Sequence, residues 1–592
     1  MANIPNKTKI TTAVSNSSQQ NLDCVHVTTS NFMELNVAKA MELVPRQSIK
    51  VNHSLFTRLE PMPVPTFGMA SIHSKAFFVP YRTVFPGWND FINDVAHTYP
   101  DGSVGHISTV PLIKNSQFIN FFKLNEVSRE MPAAYADNAD FVIAVGGQAF
   151  TAYKFTPFGR RVFKILTSLG YKFSFNAQDE DFMHSALPLL SLIKVYIDWY
   201  FPNNYSQIDV FTNLEQFLKY DKVEPFYDDF TFFQLLQVFT SIDKVCYDSD
   251  YFVSSWDNPV SPNSGSYSDI TLTDVTQLDN PPTTTTVGPN GTPVLTSGNS
   301  VISQYMLNGL RAITDYLRRH QISGSRVIDR YLARWGVTLD SAKLDRSLYI
   351  NGYNQELRFG DVTATADTEG ANLGSYSGKG VSYGDGFTDF SNNDEFGHFI
   401  IISSIVPETS YYQGCDRCTR HISKLDFYTP EFDNLGVQAM STHEIFLPMD
   451  SRKMYATNSE SFDEMSSAEK VFAFVPRYGE YKRSFNVLSG DYILGSLNAG
   501  KDSWTLFRDV DSYFKEKGMD TKHSYDFVLG EDSEQYNRIF YNVNDNADHF
   551  NVIHNFSIES NFPGKSLFDT YEFENEDEAA KVTLDAGGVK AN

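Results

Sequence analysis

Apolar and polar positions alternate with a period of two between residues 49 and 59. Ile49, Val51, Leu55 and Leu59 face one way, and Lys50, Asn52, Ser54 and Arg58 face the other. That pattern predicts a strand with one side in a core. A proline-rich turn, Pro61-Met62-Pro63-Val64-Pro65, leads to a second apolar run at 72–79, which closes on Phe77-Phe78-Val79-Pro80-Tyr81-Arg82. The two runs predict a strand pair that opens a β-sandwich. The stretch 399–406, FIIISSIV, is almost continuously apolar, as expected of a strand buried on both faces. Further strands are expected at 423–428, 471–475 and 551–558.

Helical periodicity is confined to a few places. At 187–201, Leu190, Ile193 and Ile197 recur at spacings of three and four beside a stripe of Leu189, Leu192 and Tyr196, and the run stops at Pro202-Asn203-Asn204. Amphipathic candidates lie around Phe217 and at 233–239. At 303–335, Met306, Leu310, Ile313 and Leu317 form a stripe that ends in Arg318, Arg319 and His320, where cations suit the helix dipole. Gly324 interrupts it, and a second helix is expected over 325–335. The stretch 91–186 mixes short apolar runs with Gly, Asn and Asp turns and gives no strong helix signal. Residues 258–300 and 350–395, rich in Gly, Ser, Thr, Pro, Asp and Asn, read as long exposed loops.

The chain therefore divides into a flexible N-terminal arm (1–30), a first part of the sandwich with its loops (31–204) and an insertion (205–300). The remainder of the sandwich, with helical and loop insertions, follows at 301–571, and an acidic tail at 572–592. The expected fold is mainly β: a single eight-stranded antiparallel Greek-key jelly roll whose long loop insertions contain some α-helices.

Composition sharpens this in three ways. Of 592 residues, 14% are aromatic, with 48 Phe and 32 Tyr, which suits either a large β core or extensive contact surfaces. The formal net charge of −24 argues against a dedicated nucleic-acid-binding module, whose affinity rests on neutralising phosphates. Four cysteines, Cys24, Cys246, Cys415 and Cys418, make no disulfide framework and point to a reducing compartment. The first residues lack an apolar signal core. The apolar run at 187–201 carries Lys194 and Asp198 and is too short and too charged to span a bilayer. A soluble, non-exported protein without membrane insertion is the expectation.

Catalytic and cofactor motifs do not assemble. Gly564-Lys565-Ser566 ends like a phosphate loop, but Glu559 stands where the loop needs its first glycine. Cys415-Asp416-Arg417-Cys418 with His421 has spacing that could hold zinc. No second CxxC supplies the remaining ligands, so a pair of free or transiently oxidised thiols is the preferred reading. The Asn542–Asn546 cluster lacks the glycine and closing glutamate of a calcium loop and reads as a solvated turn. Neither a metalloprotease helix nor a nucleophile elbow occurs. No enzyme activity and no cofactor are expected. Basic residues gather at 311–334, at Arg417, Arg420 and Lys424, and at Arg477, Lys482 and Arg483 beside Tyr478 and Tyr481. Such groups meet phosphates and bases or form subunit-interface and surface ion pairs.

Several separated segments carry a resemblance in colinear order. They are SIKVNHSLFTRLEPMPVPTFGMASIHSKAFFVPYR and PGWNDFI near the start, ALPLLSLIKVYIDWYFPNN, and YDSDYFVSSW. They continue with YMLNGLRAITDYLRRHQISGSRVIDRYLARWGV, IIISSIVPETSYYQGCDRCTRHISKLDFYTPEFDNLGVQAMSTHEIF and FAFVPRYGEYKRSFNVLSGDY. Together they resemble the major capsid proteins of microviruses, small single-stranded DNA bacteriophages, and the gokushovirus-like branch in particular. The chain departs from the family pattern at Cys418-Thr419-Arg420 and Val475-Pro476-Arg477, and segments 140–185, 205–245 and 495–540 look expanded, as in a divergent member.

The resemblance implies a viral jelly-roll subunit, present in many copies in a T=1 icosahedral virion around circular single-stranded DNA and assembled in the bacterial cytoplasm. It implies a small basic DNA-binding protein, scaffolding and pilot proteins, and a host surface receptor as partners, with the 258–300 loop as part of a threefold protrusion for host attachment. Arg318, Arg319, Arg417, Arg420, Arg477, Lys482 and Arg483 are the candidates for DNA-facing or subunit-interface residues. The alternatives are a secreted jelly-roll carbohydrate-binding protein or glycoside hydrolase, which needs a carboxylate pair in a cleft, and a cupin-type metal enzyme, which needs clustered histidines.

Overall fold

The computed structural model describes residues 17–64, 66–124, 157–173, 182–201, 244–257, 346–357, 379–392, 395–424, 426–433, 437–447, 470–493, 501–510, 521–529, 534–541 and 548–563, with shorter pieces between them. The expected helices at 303–335, with Arg318 and Arg319, lie outside the described residues. So do the Asn542–Asn546 cluster and the candidate around Phe217. Of the 258–300 loop only two short paired strands, Thr286–Val287 and Pro293–Val294, are described.

The chain begins with strands β1 (Ser18–Asn21), β2 (Cys24–Ser30), β3 (Asn36–Leu43), β4 (Ser48–Leu59) and β5 (Ala70–Pro80). After a short helix at Trp88–Asn93 come the longer helices α1 (Asn115–Leu124), α2 (Pro157–Ser168) and α3 (Leu187–Val195). Then come β6 (Leu348–Leu357), β7 (Phe359–Gly360), β8 (Lys379–Ser391), β9 (Gly397–Pro407), β10 (Val437–Ser441), β11 (Val471–Pro476) and β12 (Phe550–Phe562). The first sheet runs β1–β12–β4–β8–β7, with β2 also on β12, and the second runs β6–β5–β9–β3. Every pairing within both sheets is antiparallel.

β4 and β5 are both strands, but they do not pair with each other. The proline-rich turn carries the chain from the first sheet to the second, so successive strands β3, β4 and β5 cross the sandwich each time. The alternation in β4 is complete: Ile49, Val51, Leu55 and Leu59 are buried, and Lys50, Asn52, Phe56 and Arg58 are exposed. The sheets pack face to face through Ala38, Ile49, Val51, Phe78, Phe399, Ile401, Phe556 and Ile558. The other side of the second sheet, with Phe77, Val79, Ile400 and Ile402, joins a larger core with Leu189, Leu190 and Ile193 of α3. The second sheet is thus the middle layer, which is why all of β9 is buried.

Helix α3 starts with Pro188 in its first turn, where the missing N–H costs nothing. It continues through a π-helical turn, Tyr196–Tyr200, and ends at an extended Phe201 before Pro202. The charges in this run are paired inside the core. Lys194 lies 3.4 Å from Asp198, and the Asp198 carboxylate accepts from the Ser347 N–H and hydroxyl, both at 2.8 Å. Among the described residues no helix is long and apolar enough to cross a membrane.

Several expectations need correction. Where a long loop is expected at 350–395, the described residues are mostly strand: most of β6, and β7 and β8, lie there. The glycines of β8 leave room for side chains from the opposite sheet. A Cβ on Gly386 would lie 2.2 Å from the Tyr353 ring, and one on Gly384 would lie 2.4 Å from Gln355 Oε1. Where a flexible arm is expected over 1–30, residues 18–21 and 24–30 are strands on the edge of β12. In the region 91–186, which gives no strong helix signal, α1 buries Phe118, Phe121 and Phe122, and α2 buries Val162, Ile165 and Leu166. Residues 423–428 are not a strand. The Asp426 carboxylate accepts from the Ile422 and Ser423 N–H groups at 3.0 and 2.7 Å, which makes a side-chain-closed turn. In the acidic tail Val582–Asp585 pairs with Gly588–Ala591.

Candidate functional site

The basic residues of two distant segments meet beside the β10–β11 hairpin. That hairpin pairs Val437 with Pro476 and Ser441 with Val471, so the loop after β9 and the turn after β11 become neighbours. Gly414 makes the approach possible, since a Cβ there would lie 2.0 Å from the Glu444 carbonyl oxygen. A 3-10 turn, Arg417–Arg420, follows, capped by the Asp416 carboxylate, which accepts from the Cys418 N–H at 2.8 Å. On the other side Tyr478 adopts a left-handed conformation (φ 59°), costly for a residue with a Cβ. It is held there by burial, by Tyr428 at 5.0 Å between ring centroids, and by the Arg477 guanidinium 4.8 Å over its ring.

Two buried glutamates organise the cluster. Ser441 and Glu444 form a capping box on the short helix Thr442–Ile445. The Glu444 carboxylate also accepts from Arg417 Nη1 at 2.9 Å and from the Tyr251 hydroxyl at 3.2 Å. Burial pushes the Glu444 carboxyl above its ordinary value, and Arg417 pulls the other way. Glu480 lies 3.9 Å from Arg417 Nε and 3.7 Å from His421 Nε2, and accepts from the Gln438 amide at 2.5 Å. Arg417 also donates to the Ala439 carbonyl at 2.8 Å. Arg417 is thus a clamp between loop and hairpin, neutralising carboxylates that would otherwise be costly to bury.

Around the clamp is a cavity of about 300 Å³ lined by Arg417, Arg420, His421, Lys470 and Arg477, with Asp426 and Glu444. Exposed Ile422, Phe427, Tyr428 and Tyr481 stand nearby, with His421 packed against Phe427 and Tyr481. Of the residues singled out in the sequence, Arg417, Arg420 and Arg477 line this one cavity. Lys482 and Arg483 are exposed on the adjoining turn, Lys482 paired with Asp433 and Arg483 donating to the Ser254 hydroxyl. The surface offers guanidinium and ammonium groups beside exposed rings, a combination suited to an acidic or aromatic partner.

The cysteines are free thiols. Cys415 Sγ lies 3.0 Å from Thr419 Oγ1, and His421 turns toward Glu480 rather than toward the thiols. Among the described residues no group of His, Cys, Asp and Glu is placed to hold a metal ion. Burial, then the nearby Asp416, pushes the Cys418 thiol up, away from a reactive thiolate. Glu444, Glu480 and Tyr251 escaped the sequence reading. Only Glu444 carried a signal, the Ser441-x-x-Glu444 spacing.

The family model described as capsid protein (F protein) matches residues 8–114 and 181–561. Helices α1 and α2 fall in the stretch between the two matched blocks. The chain is 25% identical over 210 residues to capsid protein VP1 of Chlamydia phage 1, covering 34% of this chain and 34% of that protein. It is 23% identical over 192 residues to capsid protein VP1 of Bdellovibrio phage phiMH2K, covering 31% and 32%. The alignments span about a third of the length of these curated relatives. The family match takes in the sandwich strands β1–β6, β8, β9 and β12 and the whole loop cluster, and on it the chain belongs to the phage capsid protein (F protein) family.

Proposed function

We propose that this chain is the major capsid protein of a microvirus of the gokushovirus type. It is a structural subunit that assembles in many copies into a T=1 icosahedral shell around circular single-stranded DNA, inside the host bacterium. The observation that carries the reading is the family match over most of the chain, on a mainly β framework of two antiparallel sheets. A jelly roll with overgrown loops is the architecture such a shell would use. The comparisons give the carbohydrate-binding and glycosidase alternatives no support, and family membership implies a structural rather than an enzymatic role.

The partners are those the family resemblance implies, and the net charge agrees with one of them. With a net charge of −24, the subunit leaves most neutralisation of the genome to a small basic protein. The cluster of Arg420, Arg477, Lys482 and Arg483, with Arg318 and Arg319, supplies local contacts to DNA or to neighbouring subunits. Scaffolding and pilot proteins complete assembly. The insertion at 205–300, and the 258–300 loop above all, forms the outer protrusion that meets the host receptor.

Negative-stain electron microscopy of the chain co-expressed with the phage structural genes tests the reading. Uniform small icosahedral particles with surface knobs are expected, and monomers or small oligomers would overturn it. Deleting residues 262–300 is expected to leave particles intact and to abolish attachment to host cells.

A further inference from the structure

The outward side of the first sheet carries an apolar band that no described element covers. Val27 of β2 stands opposite Ile553 of β12, Ile553 opposite Phe56 of β4, and Phe56 opposite Tyr383 of β8. These four residues form one row across four strands, and they are 67%, 37%, 37% and 67% exposed. Val25, Val381 and Phe387 extend the band along the same side and are also exposed. Alternation on a sheet with one face in water places polar residues outward, so seven large apolar side chains on one face are a departure. Exposed patches of this kind mark contact sites.

We propose that this face docks against a second copy of the same chain. The proposal rests on the capsid reading, which requires copies to meet, and adds which surface they use. Size fits: four strands at about 4.8 Å spacing and roughly 12 residues at about 3.4 Å rise give about 780 Å². A standard interface takes about 800 Å² per partner. Charge fits as well. Lys50 and Arg58 of β4 lie on the same side as Asp385 and Asp389 of β8 and Glu559 of β12, with Lys50 between Asp389 and Glu559. The carboxylates repel phosphate and disfavour nucleic acid as the occupant. A second copy turned over this face sets the β4 cations against the partner's β8 carboxylates, the self-complementarity of a two-fold contact.

The test uses full-length chain co-expressed with the phage structural genes. The double variant Phe56→Glu/Tyr383→Glu is expected to lower shell yield by at least about tenfold. Its unassembled chain should melt within a few degrees of the parent, because both side chains point away from the core. Full shell yield from the variant overturns the proposal. Wild-type chain that forms no shell overturns the capsid reading itself, which separates the two failures. Zero-length carbodiimide cross-linking of shells built from mixed light and heavy isotope chains gives a second measurement, independent of any variant's folding. A mixed-isotope product joining Lys50 to Asp389 or Glu559 supports the contact between copies. Lys50 joined only within its own chain, or to a different protein, assigns the face to another occupant and overturns the proposal.

Discussion

The two sheets of this sandwich have similar strand lengths and antiparallel order but different neighbours. The second sheet has the first sheet on one side and the α3 layer on the other, so β9 presents Ile401 to one core and Ile402 to the other. Among the described residues the first sheet is covered on one side only, and its outer face exposes Phe56 and Tyr383. Burial on both faces makes the second sheet the source of stability, and the open face makes the first sheet the one available to partners. Within the covered space the chemistry is not purely apolar. His53 and His554 of the first sheet meet at 2.9 Å, and Tyr353 of the second sheet reaches His53 across the sandwich.

The sharpest way to break the comparison is to truncate one residue in each sheet. Ile402→Ala leaves a cavity in a site with no exposure, and is expected to cost about 2–5 kcal/mol. Phe56→Ala removes an outward side chain, and is expected to change the stability of the unassembled chain by no more than about 0.5 kcal/mol. Chemical denaturation of both variants checks this, and equal losses would mean that the first sheet's outer face is covered within the monomer.

Acid probes both buried layers, through His53 between the sheets and His398 beside Tyr81 on the other side of the second sheet. Burial lowers the His53 imidazole to about 4, with Asp385 pulling weakly upward, and burial alone lowers His398 to about 4. The ordinary value is 6.5. Between these values the unfolded chain binds protons that the folded chain refuses. Each histidine's contribution is therefore fully present above pH about 6.5 and is lost as pH falls toward about 4. A difference of this size corresponds to roughly 3 kcal/mol per group at most. Melting temperature is expected to fall steadily from pH 7 to pH 4.5. In His53→Gln the fall should be shallower, and an unchanged slope would remove His53 from the account.

What was legible in the chain follows the same division. Strands β4, β9 and β12 and helix α3 were readable because their burial is periodic or continuous. β8 was not, because its inward positions Gly384 and Gly386 are small to admit Gln355 and Tyr353, a constraint set by residues about thirty positions away. The turn at 423–428 has apolar members, but Asp426 bonds its own backbone and closes it. At the candidate site the cations were visible as two separate runs. Their meeting depends on the β10–β11 hairpin, and of the two carboxylates that hold Arg417 only Glu444 carried a signal, the capping-box spacing from Ser441.

The buried-versus-open contrast extends to those cations. Arg417→Ala would leave Glu444, 4% exposed at its side chain, without its guanidinium. The expected cost is about 2 kcal/mol, below the 3–5 kcal/mol of a fully buried pair because Arg417 is itself 23% exposed. Loss of the hydrogen bond to Ala439 would loosen the loop as well. Denaturation midpoints check the figure, and Arg417→Lys should recover only part of it, since an ammonium cannot serve Glu444 and the Ala439 carbonyl together in the guanidinium's geometry.

Lys482 is the opposite case and carries the smallest effect. Its ammonium pairs with Asp433 in solvent, with side-chain exposures of 46% and 30%. Exposed pairs of this kind contribute about 0.2–1 kcal/mol, and salt screens them. Lys482→Ala is expected to leave the melting temperature of the unassembled chain within about two degrees of the parent. If Lys482 serves a contact in the shell, the same change should still lower particle yield, and the loss should deepen as salt is lowered, because attraction across an interface is strongest there. A stability loss as large as that of Arg417→Ala would show that the turn after β11 is buried by something the monomer already holds, and the distinction between the clamp and the open cations would fail.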